Sequence, residues 1–320
     1  MCTEISLTMK RLFIIFSLFI LSIHALFGQN IMCGNNGTSV NLSYETMTNT
    51  HIELKKNSRI SGEGTNSNNN KFLLSVSHPV YMDKWVGFSA GAFYNYFYND
   101  FTVKDETSEG LSNFYHTGHH VFGFNANAFL FARMFKKHFI GFTNIKAEFS
   151  DYGFGKLTGF VTGALIMQYT REKTLGIGLI GLINTTSPFP VFPIFMYRTM
   201  LNEKITLEIL PPRFNISCLL SAKSKLYVNV NVEGEHYYIK PQKETLPEIC
   251  LHSRSIMKSG LGFEQKINKQ FTIIANAGLK MTTASKIYKK NGNKSLIEFS
   301  EKPSAYFNIS FKYILNRKKS

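Results

Sequence analysis

The sequence is poor in residues that build disulfide or metal frameworks. It contains four Cys, nine Pro and one Trp in 320 residues. Cys2 belongs to an N-terminal segment that we expect to be removed, so Cys33, Cys218 and Cys250 remain as an odd set. An odd number argues against a full disulfide framework, and no pair has metal-ligand spacing. Cys218 is therefore predicted to be a small apolar residue in a strand.

Beyond residue 28, no apolar run is long enough to cross a bilayer as a helix. Before it, Lys10 and Arg11 precede the apolar residues 12–27, and Gly28 then leads into a polar tract. This order is typical of a secretory signal peptide. We predict that residues 1–28 are cleaved and that residues 29–320 form one domain, because no linker divides them. Lipidation at Cys33 is not favoured, since Asn-Ile-Met at residues 30–32 is a poor approach to a lipid-attachment site.

The remaining chain shows apolar residues at every second position. Residues 271–281 place Phe, Ile, Ala, Ala, Leu and Met on one face, and residues 228–233 alternate Val with Asn, Asn and Glu. Such alternation indicates β-strands. The chain also has 29 Phe and 15 Tyr while its mean hydropathy is only -0.08. Both properties fit a transmembrane β-barrel, whose outer face is apolar and whose interior is polar, with a soluble β-sheet core as the alternative.

Two kinds of connection alternate between the strand patterns. Short, mostly charged links occur at residues 82–84, 135–137, 171–173, 201–204, 221–224 and 267–270, and longer connections are predicted at residues 46–70, 100–118, 151–156, 185–193, 211–212, 240–252 and 283–303. Short turns on one side and long loops on the other are typical of outer-membrane barrels. One first strand, six hairpins and a last strand near residues 305–315 predict an all-β fold, a single transmembrane antiparallel β-barrel of about 14 strands. The alternative is 12, if residues 205–210 and 214–220 do not both span.

The formal net charge of +15 invites a nucleic-acid interpretation. We do not adopt it, because the Lys residues are scattered, no nucleic-acid module is present and the signal peptide exports the chain. A basic lumen that favours anions, basic loops against anionic lipid headgroups or surface glycans, and simple solubilising charge all remain open.

Several polar groups are candidate sites. His116, His119 and His120 could bind a divalent metal if their segment folded back, but the simpler interpretation is a polar loop entering a strand. Glu233 and Glu235 are expected to face the lumen and to pair with Lys or Arg of neighbouring strands. A lipid hydrolase would need a Ser beside an oriented His, and the sequence ties no such pair together. The Asn-rich residues 66–70 are expected in a mobile external loop. No catalytic, cofactor-binding or metal site is predicted.

Short motifs give the chain a resemblance to a known family. They are Phe-Gly-Gln at residues 27–29, Val-Tyr-Met-Asp-Lys at 80–84, Phe-Pro-Val-Phe-Pro at 189–193, Lys-Ile-Thr-Leu-Glu-Ile-Leu-Pro at 204–211, Ser-Arg-Ser at 253–255 and Gly-Leu-Gly-Phe-Glu at 260–264. Together they resemble the DUF6268 outer-membrane β-barrel proteins of Bacteroidota. The resemblance implies an outer-membrane barrel with no established active residues. One departure is the end of the chain, where an aromatic assembly signal would have to be Phe311 or Tyr313 rather than the last residue.

The sequence therefore predicts a non-enzymatic barrel in the outer membrane of a Gram-negative bacterium. The expected role is a narrow basic pore that passes small anionic solutes. The alternative is a structural or surface-interaction barrel without transport, and a barrel lipid hydrolase is less favoured. The expected partners are outer-membrane lipid and lipopolysaccharide, with the barrel-assembly machinery during insertion. No nucleic acid and no cofactor are expected, and the sequence does not fix the oligomeric state.

Overall fold

The structure is a computed structural model that describes residues 37–56, 59–105, 111–134, 136–183, 191–210, 213–241, 246–290 and 295–315. The predicted signal peptide and Cys33 lie outside these residues. The first eight strands are β1 (Thr38–Met47), β2 (Thr50–Lys56), β3 (Arg59–Met82), β4 (Val86–Asp105), β5 (Leu111–Met134), β6 (Lys137–Ser150), β7 (Gly153–Tyr169) and β8 (Lys173–Ile183). The others are β9 (Val191–Met200), β10 (Ile205–Leu210), β11 (Arg213–Leu219), β12 (Ser224–Ile239), β13 (Cys250–Lys266), β14 (Phe271–Lys289), β15 (Ser295–Glu301) and β16 (Ser304–Leu315).

These strands close into a single antiparallel barrel. Strands β1 and β2 follow each other along β3, and β15 and β16 follow each other along β14. Each of these two pairs of segments therefore fills one position in the wall. Pairing of β1 with β16 and of β2 with β15 closes the ring. The wall has 14 strands, as the sequence predicted.

All six short links predicted from the sequence connect neighbouring strands at one end of the barrel, which we call the turn end. Two of them are held by an Asn side chain. The Oδ1 atom of Asn268 accepts hydrogen bonds from the backbone N–H groups of Gln270 and Phe271, both at 2.8 Å. Asn202 Oδ1 accepts from Lys204 and Ile205 at 2.9 and 2.7 Å. These residues form turns because the Asn side chain accepts hydrogen bonds from N–H groups that lack a strand partner.

The outer face of the wall is apolar, and the predicted alternation is confirmed. On β14, the side chains of Leu279 and Met281 are 56% and 41% exposed, whereas Lys280 between them is 2% exposed. Strand β8 exposes Ile177 and Leu179 in the same way. Apolar residues outside and polar residues inside are the arrangement of a transmembrane barrel. No helix long and apolar enough to span a membrane occurs among the described residues.

Three of the long loops predicted from the sequence are mostly strand, so these three predictions were wrong. Most of residues 46–70, 100–118 and 283–303 lies in β2, β3, β4, β5, β14 and β15, which extend beyond the length a membrane requires. The Asn-rich residues 66–70 belong to β3, where Asn66 is fully buried and Asn68 has a φ of 52° beside a register shift. In several of these segments the apolar side chains, such as Ile52, Leu54 and Phe299, point into the barrel, and polar side chains such as Lys286 and Glu298 are exposed. This is the reverse of the alternation that marks a lipid-facing strand. We call this half of the barrel the loop end.

Two neighbouring strands are short. Strands β10 and β11 contain six and seven residues, and they join through residues 211–212, which are Pro-Pro. Both are members of the wall, so the alternative of 12 strands is wrong. Cys218 lies in β11 and Cys250 in β13, and both are free, as expected without a disulfide framework.

Candidate functional site

The barrel interior contains a polar chamber of about 530 Å³. It begins at the turn end, beside Met82 and Gly87, and reaches the middle of the barrel. Its wall is rich in amides and hydroxyls, which include Ser39, Asn41, Ser43, Ser75, Ser77, Ser89, Asn95, Asn125, Asn127, Asn144, Asn229, Asn231, Asn276, Asn308 and Ser310. A wall of this composition can hydrogen-bond water and small polar solutes.

A buried cluster of charges forms the inner boundary of the chamber. Lys258 donates hydrogen bonds from Nζ to both carboxylate oxygens of Glu45, at 2.6 and 2.7 Å, and to Glu233 Oε2 at 2.8 Å. Asn231 Nδ2 donates to the other oxygen of Glu233 at 2.8 Å. The side chains of Lys258 and Glu45 are only 5% and 8% exposed. Charges this deeply buried are tolerated because they are paired and hydrogen-bonded.

A second part of the cluster lies closer to the loop end. Arg254 holds Glu301 with two hydrogen bonds, from Nε to Oε1 at 3.2 Å and from Nη2 to Oε2 at 2.7 Å. Glu235 lies between Arg254 and Lys71, with its oxygens 3.5 Å from Arg254 Nη1 and 3.1 Å from Lys71 Nζ. The pairing of Glu233 and Glu235 with basic residues of other strands, which the sequence predicted, is confirmed. We call the residues of these two paragraphs the charged layer.

Between the charged layer and the loop end, apolar side chains fill the barrel. This loop-end cluster consists of Ile52, Leu54, Phe97, Phe101, Val121, Tyr237, Ile239, Cys250, Ile287, Ile297 and Phe299. Its members come from strands on opposite sides of the wall, and Cα atoms of β5 and β12, which are not neighbours in the sheet, approach within 8 Å. The ring of Tyr237 on β12 lies 5.1 Å from His119 on β5 and 5.1 Å from Phe97 on β4. The part of β12 beyond its pairing with β11, residues 232–239, therefore turns into the interior towards β5 while it stays paired with β13, and it closes the interior there.

A separate apolar cluster lines the inner face of β6 to β9. It consists of Phe142, Phe160, Ala164, Ile180, Phe192, Ile194 and Met196. Leu210, the last residue of β10, packs against it. The interior is thus polar on the side of β1, β3 and β12 to β16 and apolar on the side of β6 to β9. The sequence did not suggest this division, because a polar inner face was expected along every strand of the barrel.

The charges that line the chamber nearly balance. The cations are Lys71, Lys146, Arg213, Lys258 and Lys312, and the carboxylates are Glu45, Glu148, Glu233 and Glu235. The basic lumen that the sequence analysis gave as one alternative therefore overstates the excess of positive charge. It did so because a net charge says nothing about which residues the folded wall turns inward.

The three histidines considered as metal ligands lie in β5 and not in a loop. His119 is 3% exposed and stacks on Tyr237 inside the barrel. His120 is exposed and forms a hydrogen bond with Tyr94, with 2.7 Å between Nδ1 and the phenol oxygen. Adjacent strand residues point to opposite faces, so these two imidazoles do not converge. The side chain of His116 is not among those that the structure describes. Across the described residues, no three His, Cys, Asp or Glu side chains are grouped closely enough to hold a metal ion.

The structure also reveals a Ser and His pair that the sequence did not suggest. Ser285 Oγ and His252 Nε2 are 2.8 Å apart on neighbouring strands β14 and β13. Both residues are almost fully buried, and His252 contacts the rings of Phe101, Tyr237 and Phe299. A hydrolase needs a serine that a substrate can reach. This pair is enclosed by the loop-end cluster, so it gives no support to a lipid hydrolase.

Solved structures with a similar fold are outer-membrane proteins of different activities. An outer membrane channel from Pseudomonas putida F1 is 8% identical with a TM-score of 0.42, over 89% of this chain and 100% of that chain. The toluene transporter TodX of P. putida is 8% identical with a TM-score of 0.39, over 88% and 91%. The outer membrane protease OmpT of Escherichia coli is 8% identical with a TM-score of 0.34, over 90% and 100%. Likeness at this level concerns the fold alone.

The family comparison is more direct. A search of curated proteins gave no match to this chain. The family described as Domain of unknown function (DUF6268) matches residues 93–314, which run from β4 to β16. These residues include the whole charged layer except Glu45 and Lys71. This match covers most of the chain and agrees with the resemblance of the short motifs. The chain belongs to the DUF6268 family.

Proposed function

We propose that the protein is a narrow, gated pore for small polar solutes in an outer membrane. The observation that carries this proposal is the chamber, which begins at the turn end and is lined by amides, hydroxyls and charges up to Lys258 and Glu45. A purely structural barrel has no need of a hydrated interior, because an apolar core of the same volume would avoid burying charges.

In this proposal, the gate is the contact between β12 and β5. The loop-end cluster leaves the polar chamber without a continuation to the loop end among the described residues. Conduction therefore requires β12 to separate from β5, which would break the contacts of Tyr237 with His119 and Phe97. Closed packing of this kind predicts rare openings and not the steady current of a wide porin.

The proposed selectivity is a weak preference for anions. Among the cations that line the chamber, Arg213 makes no ion pair within the described part of the chain, and Lys312 lies near the turn end, where solutes would enter. Lys71 and Lys258 are paired with carboxylates and contribute little net field. A small excess of positive charge along a narrow path favours anions.

The cellular setting is proposed on the same grounds. The apolar outer face needs a bilayer, and the predicted signal peptide at residues 1–28 would export the chain to the outer membrane of a Gram-negative bacterium. Lipid, lipopolysaccharide and the barrel-assembly machinery during insertion are the proposed partners, without a cofactor or nucleic acid. A structural or surface-interaction barrel is the second candidate, and the tight packing of the loop end favours it over the lipid hydrolase.

Planar bilayer recordings of the purified protein test the proposal. The unaltered protein should give small, infrequent steps, and Tyr237→Ala should increase the fraction of time spent open, because it removes the ring that joins β12 to β4 and β5. Leu261→Ala, on the exposed outer face, is the matched control and should leave the current unchanged. Silence of both the unaltered protein and Tyr237→Ala would reject the pore and favour the structural role. Release of fatty acid from the bilayer would favour the hydrolase instead.

Reversal potentials in a salt gradient test the selectivity. Arg213→Gln and Lys312→Gln should each reduce the preference for anions, because they remove positive charge from the path. Lys240→Gln, in an exposed connection where Lys240 pairs with Glu248, is the control and should have no effect. A cation preference in the unaltered protein would contradict the proposed selectivity.

A further inference from the structure

Four aromatic rings follow one another around the mouth of the barrel at the turn end. Trp85 lies in the turn between β3 and β4, and Phe131, His138 and Tyr169 lie on β5, β6 and β7. The centroids of successive rings are 6.0, 5.3 and 5.7 Å apart. The four side chains therefore form one continuous surface across neighbouring strands, which we call the aromatic row.

The aromatic row lies on the inner face of the wall. Phe129 lines the chamber, and Phe131 is the next residue of β5 on the same face. His138 shares its face of β6 with Phe142, which also lines the chamber. The pairing of β5 with β6 shows no register shift between these positions, so the alternation of the side chains is unbroken. The aromatic row therefore borders the end of the chamber that lies nearest the turns.

A β-bulge turns Tyr169 towards this surface. The pairing of β7 with β8 shifts register between Ile166 and Gln168. Ile166 is buried inside the barrel, so in an unbroken alternation Tyr169, three residues later, would face the lipid. The extra residue of the bulge reverses the alternation, and Tyr169 instead pairs with Thr174 and contacts the ring of His138. Bulges that redirect a side chain in this way are common beside functional sites.

Solutes can reach the aromatic row from the turn end. Trp85 is 46% exposed and Tyr169 is 63% exposed, although Tyr169 faces away from the lipid. Arg133 follows Phe131 on the same face of β5, is exposed and lies beside His138 in the register of β5 and β6. Its guanidinium offers several N–H donors. An exposed ring surface with hydrogen-bond donors at its rim suits a ligand that has both an apolar face and polar groups.

The aromatic row and the chamber together match the two kinds of surface on a sugar ring. A pyranose has a face of C–H groups, which stacks on the electron-rich face of an aromatic ring, and hydroxyls at its rim, which both donate and accept hydrogen bonds. Phe131, Phe129 and Asn127 succeed one another on the inner face of β5 at intervals of about 7 Å, so rings give way to amides along the path. Amides also donate and accept. A hydrocarbon would leave the amides unused, and an inorganic anion would leave the rings unused.

We propose that the aromatic row is a carbohydrate-binding site, on which a short oligosaccharide stacks where the chamber begins. Phe131 and Tyr169 supply the stacking surface, and Arg133 bonds the hydroxyls at its rim. The inference deepens the proposed pore, because it names the class of solute and rests on the pore for the onward passage of that solute. Binding itself needs no separation of β12 from β5, since the aromatic row lies at the turn end.

The test uses Trp85, the single Trp of the chain, as its reporter. The full mature protein in detergent micelles is titrated with maltotriose, cellotriose and mannotriose at millimolar concentrations while the Trp emission is followed. Mannitol is the control ligand, because it carries hydroxyls without a sugar ring. At least one trisaccharide should change the emission to saturation, and mannitol should leave it unchanged. Titration calorimetry measures the same affinity without relying on Trp85.

Variants locate the site. Phe131→Ala and Tyr169→Ala should each weaken trisaccharide binding about tenfold, because each removes a stacking ring. Tyr169→Phe keeps the ring and should retain most of the affinity. Phe307→Ala is the matched control and should bind like the unaltered protein, since Phe307 is 45% exposed on the outer face of β16. Heat-modified migration on gels confirms that each variant is folded.

Absence of binding by all three trisaccharides would refute the site, and so would unchanged affinity in the two Ala variants or equal binding of mannitol. Binding of phenol without that of any trisaccharide would assign the aromatic row to aromatic solutes and would also refute it. These results do not depend on current. Saccharide binding with silent bilayers would reject the pore and keep the site, whereas current without saccharide binding would keep the pore and reject the site.

Discussion

At the scale of single residues, the charged layer is the least expected feature of the interior. Lys258 bonds two carboxylates, Glu45 and Glu233, which come from strands at distant positions in the chain. The sequence indicated that Glu233 would pair with a cation of a neighbouring strand, because alternation placed it on the inner face. It could not identify Glu45, which is 213 residues away from Lys258, because that contact depends on the closure of the ring.

The first prediction compares two lysines. Lys258→Gln should destabilise the barrel by about 3–5 kcal/mol, because it leaves two buried carboxylates without their cation. Lys286→Gln is the control. Lys286 pairs with Glu298 at 2.6 Å, but the two side chains are 36% and 46% exposed. Such a pair contributes less than about 1 kcal/mol. Unfolding in urea, followed by gel mobility, measures the difference, and equal effects of the two variants would contradict the buried position of the charged layer.

At the scale of strands, the membrane-spanning segments were predictable and their extensions were not. Short links such as residues 267–270 carry turn residues, and strands such as residues 271–281 alternate because one face meets lipid. Beyond the bilayer this constraint ends. The segment with Asn66 and Asn69 buries polar side chains inside the loop end, so its composition indicates a loop although it forms part of β3.

The second prediction concerns two adjacent residues of β1. Leu42 is 36% exposed on the outer face, and Asn41 lines the chamber. Leu42→Arg should reduce the free energy of unfolding by about 2–4 kcal/mol, because it places a cation in the apolar part of the bilayer. Asn41→Arg should be tolerated, because its charge would face water. Folding into liposomes at increasing urea measures both variants. Equal tolerance would mean that the outer face of β1 does not meet lipid.

At the scale of the whole molecule, unequal strand lengths explain how the interior is closed. The long strands β3 to β5 and β12 to β14 continue beyond the short strands β10 and β11, so the free edge of β12 can turn inward and reach β5. Pro211 and Pro212 marked the short hairpin in the sequence, since Pro ends strand pairing. The inward turn could not be inferred, because it depends on contacts between strands distant in the chain.

The third prediction is the orientation. Lys240 lies in the connection between β12 and β13 at the loop end, with its side chain 59% exposed, and Asn268 lies in a turn at the opposite end. In intact cells, a membrane-impermeant maleimide should label Lys240→Cys and not Asn268→Cys, because barrels place their short turns in the periplasm. Both sites should react in lysed cells, which is the control. Labelling of Asn268→Cys alone in intact cells would show that the barrel has the opposite orientation.

A reversible cross-link between β5 and β12 tests most directly whether β12 closes the interior. His119→Cys and Tyr237→Cys replace two rings in contact between these strands. A short bis-thiosulfonate can join the two thiols in a chain that also carries Cys33→Ser, Cys218→Ala and Cys250→Ala. Bilayer current is then recorded before and after reduction of the bridge. The account predicts silence while the bridge is present and openings once it is reduced. Equal current in both states would show that solutes do not pass between β5 and β12.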